Sequence, residues 1–195
     1  MSDFDSVACA YDRGMQPLEW LLLRRLRRRA FGGLHGQVLE LGTGTGVNLP
    51  LYAEAARVVA CDVSRPMLAQ AARRPGHRAM LVQADAQHLP FASGSFDIVA
   101  GSLVFCSLDD PGRGLAEAKR ALRRGGRLLL LEHMRGRGLG AWLTDTLQPL
   151  YQRWSHECRL NRETLRAVEV AGFRLLAVHS VWLGIVRLIE AARCD

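Results

Sequence analysis

Residues 37–48, Gln-Val-Leu-Glu-Leu-Gly-Thr-Gly-Thr-Gly-Val-Asn, constrain the fold more than any other stretch of the chain. The apolar run Val38 to Leu41 has the length of a strand. It meets glycine at every second position: Gly42, Gly44 and Gly46. Helix-compatible sequence follows. Glycine permits positive φ and lets a ligand approach the backbone with no Cβ in the way. A strand, a glycine turn and a helix in that order build a crevice for a nucleotide-type ligand. A dinucleotide fingerprint would read G-x-G-x-x-G. This chain reads E-x-G-x-G-x-G, with Glu40 inside the strand end.

The landmarks downstream keep the same order. A second apolar run, Val58 to Cys61, ends in Asp62, twenty residues after Gly42. A carboxylate at that strand tip can accept both hydroxyls of a ribose. Ser64 is placed to cap the helix that follows. A third run, Ala79 to Ala84, ends in Asp85-Ala86, where a carboxylate can accept from an adenine amino group. Then come Leu89-Pro90-Phe91, Ser95-Phe96-Asp97, a strand at Ile98 to Gly101, and Arg124-Gly125-Gly126-Arg127 before another strand. Over roughly residues 35–133 this series resembles the class I S-adenosylmethionine (SAM) methyltransferases with a type 11 methyltransferase domain. The resemblance implies SAM as cofactor and S-adenosylhomocysteine (SAH) as product. It implies cofactor contacts from Glu40, Gly42, Thr43, Gly44, Gly46, Asn48, Asp62, Val63, Met67, Asp85, Ala86, Ser102 and Leu103. Tyr11-Asp12 resembles the element by which these enzymes fold their arm over the cofactor, so Tyr11 joins that set.

The chain of 195 residues suits one domain with a sizeable core. Apolar residues make up 49% and charged residues 23%, as in ordinary globular proteins. No run approaches the length of a membrane span. The acidic Met-Ser-Asp-Phe-Asp start argues against a secretory signal. Five cysteines without a C-x-x-C pair read as reduced thiols in a cytoplasmic protein. That scatter predicts no structural metal site. Lys119 is the only lysine, so arginine dominates the formal charge of +7. No nucleic-acid motif accompanies that charge, and no nucleic-acid partner is expected.

Strands alternate with helices, which predicts an α/β, Rossmann-like, seven-stranded sheet with helices on both faces. Strands are expected near 37–41, 57–61, 79–84, 96–101, 127–133, 173–180 and 182–191. Helices are expected near 16–30, 46–55, 65–73, 112–123, 139–153 and 161–171. The short link between the last two strands requires antiparallel pairing, and the family resemblance places the last strand antiparallel inside the sheet. The whole chain, 1–195, reads as a single domain. It has an N-terminal helical arm, 1–35, and a helical insertion on the acceptor side, 134–165. In the arm, Leu18, Leu21, Leu22 and Leu26 form an apolar stripe, with Arg24, Arg25, Arg27, Arg28 and Arg29 crowded beside it. Two readings stay open: peripheral contact of 16–30 with an anionic membrane, or a helix packed on the sheet with its arginines in solvent.

Methyl transfer from a sulfonium is an in-line displacement. It needs orientation and desolvation more than one strong base. Ser102, Leu103, Cys106 and Ser107 after the fourth strand, and Glu132, His133 and Met134 after the fifth, should border the transferred methyl. His133 can take a proton near neutral pH, or it can simply orient a neighbour. Leu-Val-Phe-Cys-Ser-Leu (103–108), Leu-Glu-His-Met (131–134) and His-Glu-Cys-Arg-Leu-Asn-Arg-Glu-Thr (156–164) resemble the methyltransferase-like 7 branch and its bacterial relatives, which methylate small alkyl thiols. Glu157 stands where that branch usually has glycine. The resemblance makes Cys106, Ser107, His156, Cys158, Asn161 and Arg162 candidates for the wall around a small-molecule acceptor. The alternative role of the last four is to fix the loop and cap the next helix. A phospholipid amine N-methyltransferase at a membrane surface and a non-catalytic SAM-binding module are the rival readings.

Overall fold

The computed structural model describes Asp12, Gly14, Glu19, residues 23–152 and residues 158–194. Within them the elements run α1 (Arg24–Phe31), β1 (Gln37–Leu41), β2 (Arg57–Asp62), α2 (Arg65–Arg73), β3 (Met80–Gln83), β4 (Phe96–Ser102), α3 (Pro111–Ala121), β5 (Leu122–His133), α4 (Leu139–Gln152), α5 (Thr164–Val170), β6 (Phe173–Val181) and β7 (Val186–Arg193). The sheet has seven strands in the order β3-β2-β1-β4-β5-β7-β6. Its first five strands are parallel neighbours. β7 lies antiparallel between β5 and β6. The α/β class, the strand count and the antiparallel last strand are those expected from the sequence.

Side-chain alternation on the strands sorts the apolar residues onto two faces. Leu39, Leu41, Leu128 and Leu130 pack with Leu115 and Ala118 of α3 and Val168 of α5. Val38, Leu129 and Leu131 pack with Leu26, Ala30 and Phe31 of α1 and Ala71 of α2. Leu128, Leu130 and Leu131 are fully buried. Cutting any one of them to alanine should cost about 2–5 kcal/mol. Glu40 shares its parity with Val38, so it points toward the face that carries α1. That placement decides its chemistry.

Local signals set several element starts. The Ser64 side chain accepts from Met67 N at the start of α2. Asp110 does the same from Arg113 N ahead of Pro111 in α3. Such caps contribute about 1 kcal/mol each. One expected element differs. Residues 46–55 form no α-helix; turns lead into a single 3-10 turn at Leu49–Leu51. Pro50 has no N–H to give to Gly46 four residues back. Leu49 N takes the Gly46 carbonyl instead, at 3.1 Å, and Leu51 N takes Asn48 O at 2.8 Å. Ala53 N then bonds to Leu34 O, drawing the chain out of helical register. Of the expected helix 16–30, residues 16–18 and 20–22 lie outside the described residues, so Leu18, Leu21 and Leu22 do too. No helix among the described residues is long and apolar enough to cross a membrane.

Candidate active site

A cleft of about 900 Å³, open to solvent, lies beyond the carboxyl ends of β1, β2 and β4. That is where ligands bind in open α/β sheets. Its floor is the glycine turn. Gly42 and Gly44 have φ of 57° and 54°. A Cβ on Gly42 would stand 2.4 Å from Val104 Cγ2, whereas one on Gly44 would meet nothing within 4 Å. So Gly42 is required by packing. Gly44 leaves open space, as a ligand lying against the backbone requires.

Asp62 stands at the tip of β2 beside this turn. Its Oδ2 accepts from Gly44 N at 2.8 Å and its Oδ1 from Ser64 N at 2.9 Å. A carboxylate offers about four lone-pair sites, so ribose hydroxyls can be accepted beside these bonds. Asp85 is held by Gln87 N at 2.8 Å, with His88 Nδ1 at 3.5 Å. Partial burial pushes its pKa up, but the Gln87 bonds and His88 more than offset that, and it lies below the usual aspartate value. The turn is also braced from outside. Asp12 accepts from Thr45 Oγ1 at 2.5 Å and pairs with Arg74, whose Nε donates to Thr45 O at 2.7 Å.

Of the expected cofactor residues, Gly42, Thr43, Gly44, Asn48, Asp62, Val63, Met67, Asp85, Ala86, Ser102 and Leu103 line the cleft together. Glu40 and Gly46 do not. Glu40 is buried one hydrogen bond behind the floor, accepting from Asn48 Nδ2 at 2.8 Å. Burial raises its pKa to about 7, against the opposing pull of Asn48, Tyr52, Arg27 and Thr43. Gly46 packs against Leu49 and Ala71. Tyr11 lies outside the described residues. Leu103 holds φ 56°, unusual for a bulky side chain, with its N–H bonded to Leu131 O at 2.8 Å.

The sequence reading missed Arg27. It was grouped with solvent-facing arginines, and Arg24, Arg25, Arg28 and Arg29 are indeed exposed. Arg27 instead is 6% exposed and lines the cleft. Its Nη1 donates to Asn48 Oδ1 at 2.9 Å and to Ser102 Oγ at 2.6 Å, and its Nε donates to Glu19 at 2.7 Å. The signal was present in the spacing, because Arg27 follows Leu26 on the buried side of α1 with Ala30 and Phe31.

On the acceptor side, Ser107 lines the cleft, while Cys106, His133, Cys158, Asn161 and Arg162 do not. Asn161 is exposed, and Arg162 donates to Leu108 O. His156 lies outside the described residues. His133 does not face the cleft as a base would. Its Nε2 is 2.7 Å from Cys158 Sγ, and its Nδ1 is buried with no hydrogen-bond partner among the described residues. Cys158 Sγ is in turn 3.5 Å from Cys106 Sγ. The Cys158 thiol is pulled well below its usual pKa by Cys106 and then His133, against burial. The Cys106 thiol is pushed up by Cys158 and by burial. Burial lowers the His133 pKa, yet contact with Cys158 leaves it raised. Glu132 Oε1 accepts from Val104 N and Phe105 N at 2.8 and 2.9 Å, fixing the bend after β4.

Comparison with known proteins agrees with this geometry. Residues 39–130 match the model of the methyltransferase domain family. A thiol S-methyltransferase of Homo sapiens is 34% identical over 72% of the chain and 62% of its own length. A demethylmenaquinone methyltransferase of Beutenbergia cavernae is 41% identical over 66% and 55%. A phosphatidylethanolamine N-methyltransferase of Cereibacter sphaeroides is 35% identical over 50% and 51%. The chain thus spans about half to three fifths of the length of these relatives. A Haloferax volcanii methyltransferase solved with the Trm112 methyltransferase activator shares the fold, with a TM-score of 0.77 at 19% identity over 100% of this chain and 99% of that one. The chain belongs to the class I SAM-dependent methyltransferases. Membership in that family implies use of SAM.

Proposed function

We propose that the chain binds SAM in the cleft beyond β1, β2 and β4 and directs its methyl group to a small-molecule acceptor, foremost an alkyl thiol. The observation that carries the cofactor part is the joint placement of an open glycine turn and two carboxylates on neighbouring strand tips. The residues fit the group. Gly44 leaves room for a ligand against the backbone, Asp62 is set to hold the ribose, and Asp85 with Ala86 N is set to hold the adenine. Arg27 supplies a cation for the ligand's carboxylate. When bound, SAM supplies an electrophilic methyl on a good leaving group. The chain's part is to orient the two reactants and exclude water. Val104, Ser107 and Leu108, which line the same cleft, form the wall against which an acceptor would sit.

The thiol preference draws support from the human relative and from the sulfur-rich cluster behind Ser107. The four exposed arginines of α1 and the Cereibacter relative favour a phospholipid amine as the second reading. Two experiments test these assignments. Asp62→Ala should weaken SAH binding by about 1–3 kcal/mol through lost charge-assisted hydrogen bonds, read by calorimetry; an unchanged affinity removes the ribose role. A methyl-transfer panel of alkyl thiols, lipid amines in vesicles, quinols and phenols should show turnover on thiols. Turnover on another class alone reassigns the acceptor.

A further inference from the structure

Behind the cleft wall, Cys106, His133 and Cys158 offer three donor atoms that all lie within 4.8 Å of one another. They come from the turn after β4, the end of β5 and the segment before α5, and no linear spacing announces them. We propose that they form a binding site for a soft divalent cation, zinc fitting best, with its fourth position open to a thiol acceptor. Two thiolates and one imidazole are a donor set that zinc favours, and among the described residues only these three protein ligands converge, the count of a catalytic rather than a structural centre.

The distances suit it. Tetrahedral zinc places two thiolate sulfurs about 3.8 Å apart and a sulfur and a nitrogen about 3.5 Å apart. The sulfurs already stand 3.5 Å apart. The imidazole, 2.7 Å from Cys158 Sγ, must draw back by roughly 0.8 Å. Charge also suits a buried place, since two thiolates neutralise a divalent ion. Ser107 links the cluster to the cleft, since its Oγ lies 3.6 Å from Cys106 Sγ while the residue itself lines the cleft, and the proposal sets the open position on that side. A thiol entering there would ligate as thiolate, its proton leaving to water. Its sulfur would then gain the methyl as the sulfonium C–S bond breaks, giving thioether, SAH and one released proton. This last step rests on the methyl-transfer reading; the metal site itself does not.

The test uses the full chain, stripped with a chelator and titrated with Co²⁺ and then with competing Zn²⁺. One equivalent of Co²⁺ should give tetrahedral visible bands with thiolate charge transfer, and zinc should abolish them. Cys158→Ser and His133→Asn should lose affinity at least ~100-fold while still binding SAH, which serves as the folding control. Ethanethiol should shift the cobalt bands of the wild type. Absence of the bands in a chain that binds SAH overturns the site. So does equal cobalt binding by the variants, or a Cys106–Cys158 disulfide seen by mass in place of bound metal. Bands that ignore ethanethiol overturn the acceptor position alone. A chain that binds cobalt but not SAH would refute the methyltransferase reading and leave the metal site standing.

Discussion

Two glycines of the same turn make different demands at the residue scale. Gly42→Ala would drive a methyl into Val104, and its left-handed backbone adds strain of about 1–2 kcal/mol. Gly44→Ala carries the same strain but its methyl enters open space at the cleft floor. We therefore expect Gly44→Ala to fold, with its melting temperature lowered by only a few degrees, and to lose SAH affinity at least ~10-fold. Gly42→Ala should instead lose stability first. Thermal scans beside calorimetry separate the two, and a Gly44→Ala chain with full affinity would contradict the floor assignment. These glycines were legible in the sequence because the motif is local. The roles of Cys106, His133 and Cys158 were not. The sequence placed them around the acceptor but did not show their mutual contact, because 52 positions separate the two cysteines that the fold brings together.

At the scale of elements, α1 is the piece whose function the sequence hid. Its apolar stripe left open a helix packed on the sheet or laid on a membrane, and in both readings the five crowded arginines stood away from the core. The spacing of Arg27 from Leu26, Ala30 and Phe31 sets it beside the buried stripe, and the tertiary fold supplies the polar partners that let it turn inward. Arg27 joins α1 to the glycine turn through Asn48 and to the end of β4 through Ser102. Arg27→Ala leaves Glu19 without its guanidinium partner and empties a buried fork. A loss of about 1–3 kcal/mol of stability is expected from the buried Asn48 and Ser102 acceptors left without their donor, Glu19 being partly exposed, together with weaker SAH binding. Arg27→Lys restores charge without the planar fork and should recover only part of either. Equal affinity for SAH in all three chains would remove Arg27 from the ligand's surroundings. The number and order of the strands were legible because their apolar runs are short, while the fifth begins earlier, at Leu122, and the last later, at Val186, than expected. The helix expected at 46–55 does not form because Pro50 lacks the N–H that a helix would direct to Gly46.

For the whole molecule, the buried Glu40 carboxyl ties stability to pH. Its pKa rises from 4.5 unfolded to about 7 folded. A raised carboxyl favours the protonated folded state, so its contribution is fully present below pH 4.5. It is lost as pH climbs through 7. Glu40→Gln keeps an acceptor for Asn48 without the charge. It should match the wild type near pH 4 and exceed it near pH 8, by up to about 3 kcal/mol. Urea unfolding at the two pH values checks this, and a gap that does not widen with pH would show that Glu40 titrates normally. The bend at Leu103 has a wider consequence. Glycine there would relieve the twisted peptide, but it would give up the packing of Leu103 against the core and free the unfolded chain, so the position offers no easy gain in heat tolerance. The wall beside the ligand is thus held in its bent shape by the same side chain whose backbone it strains.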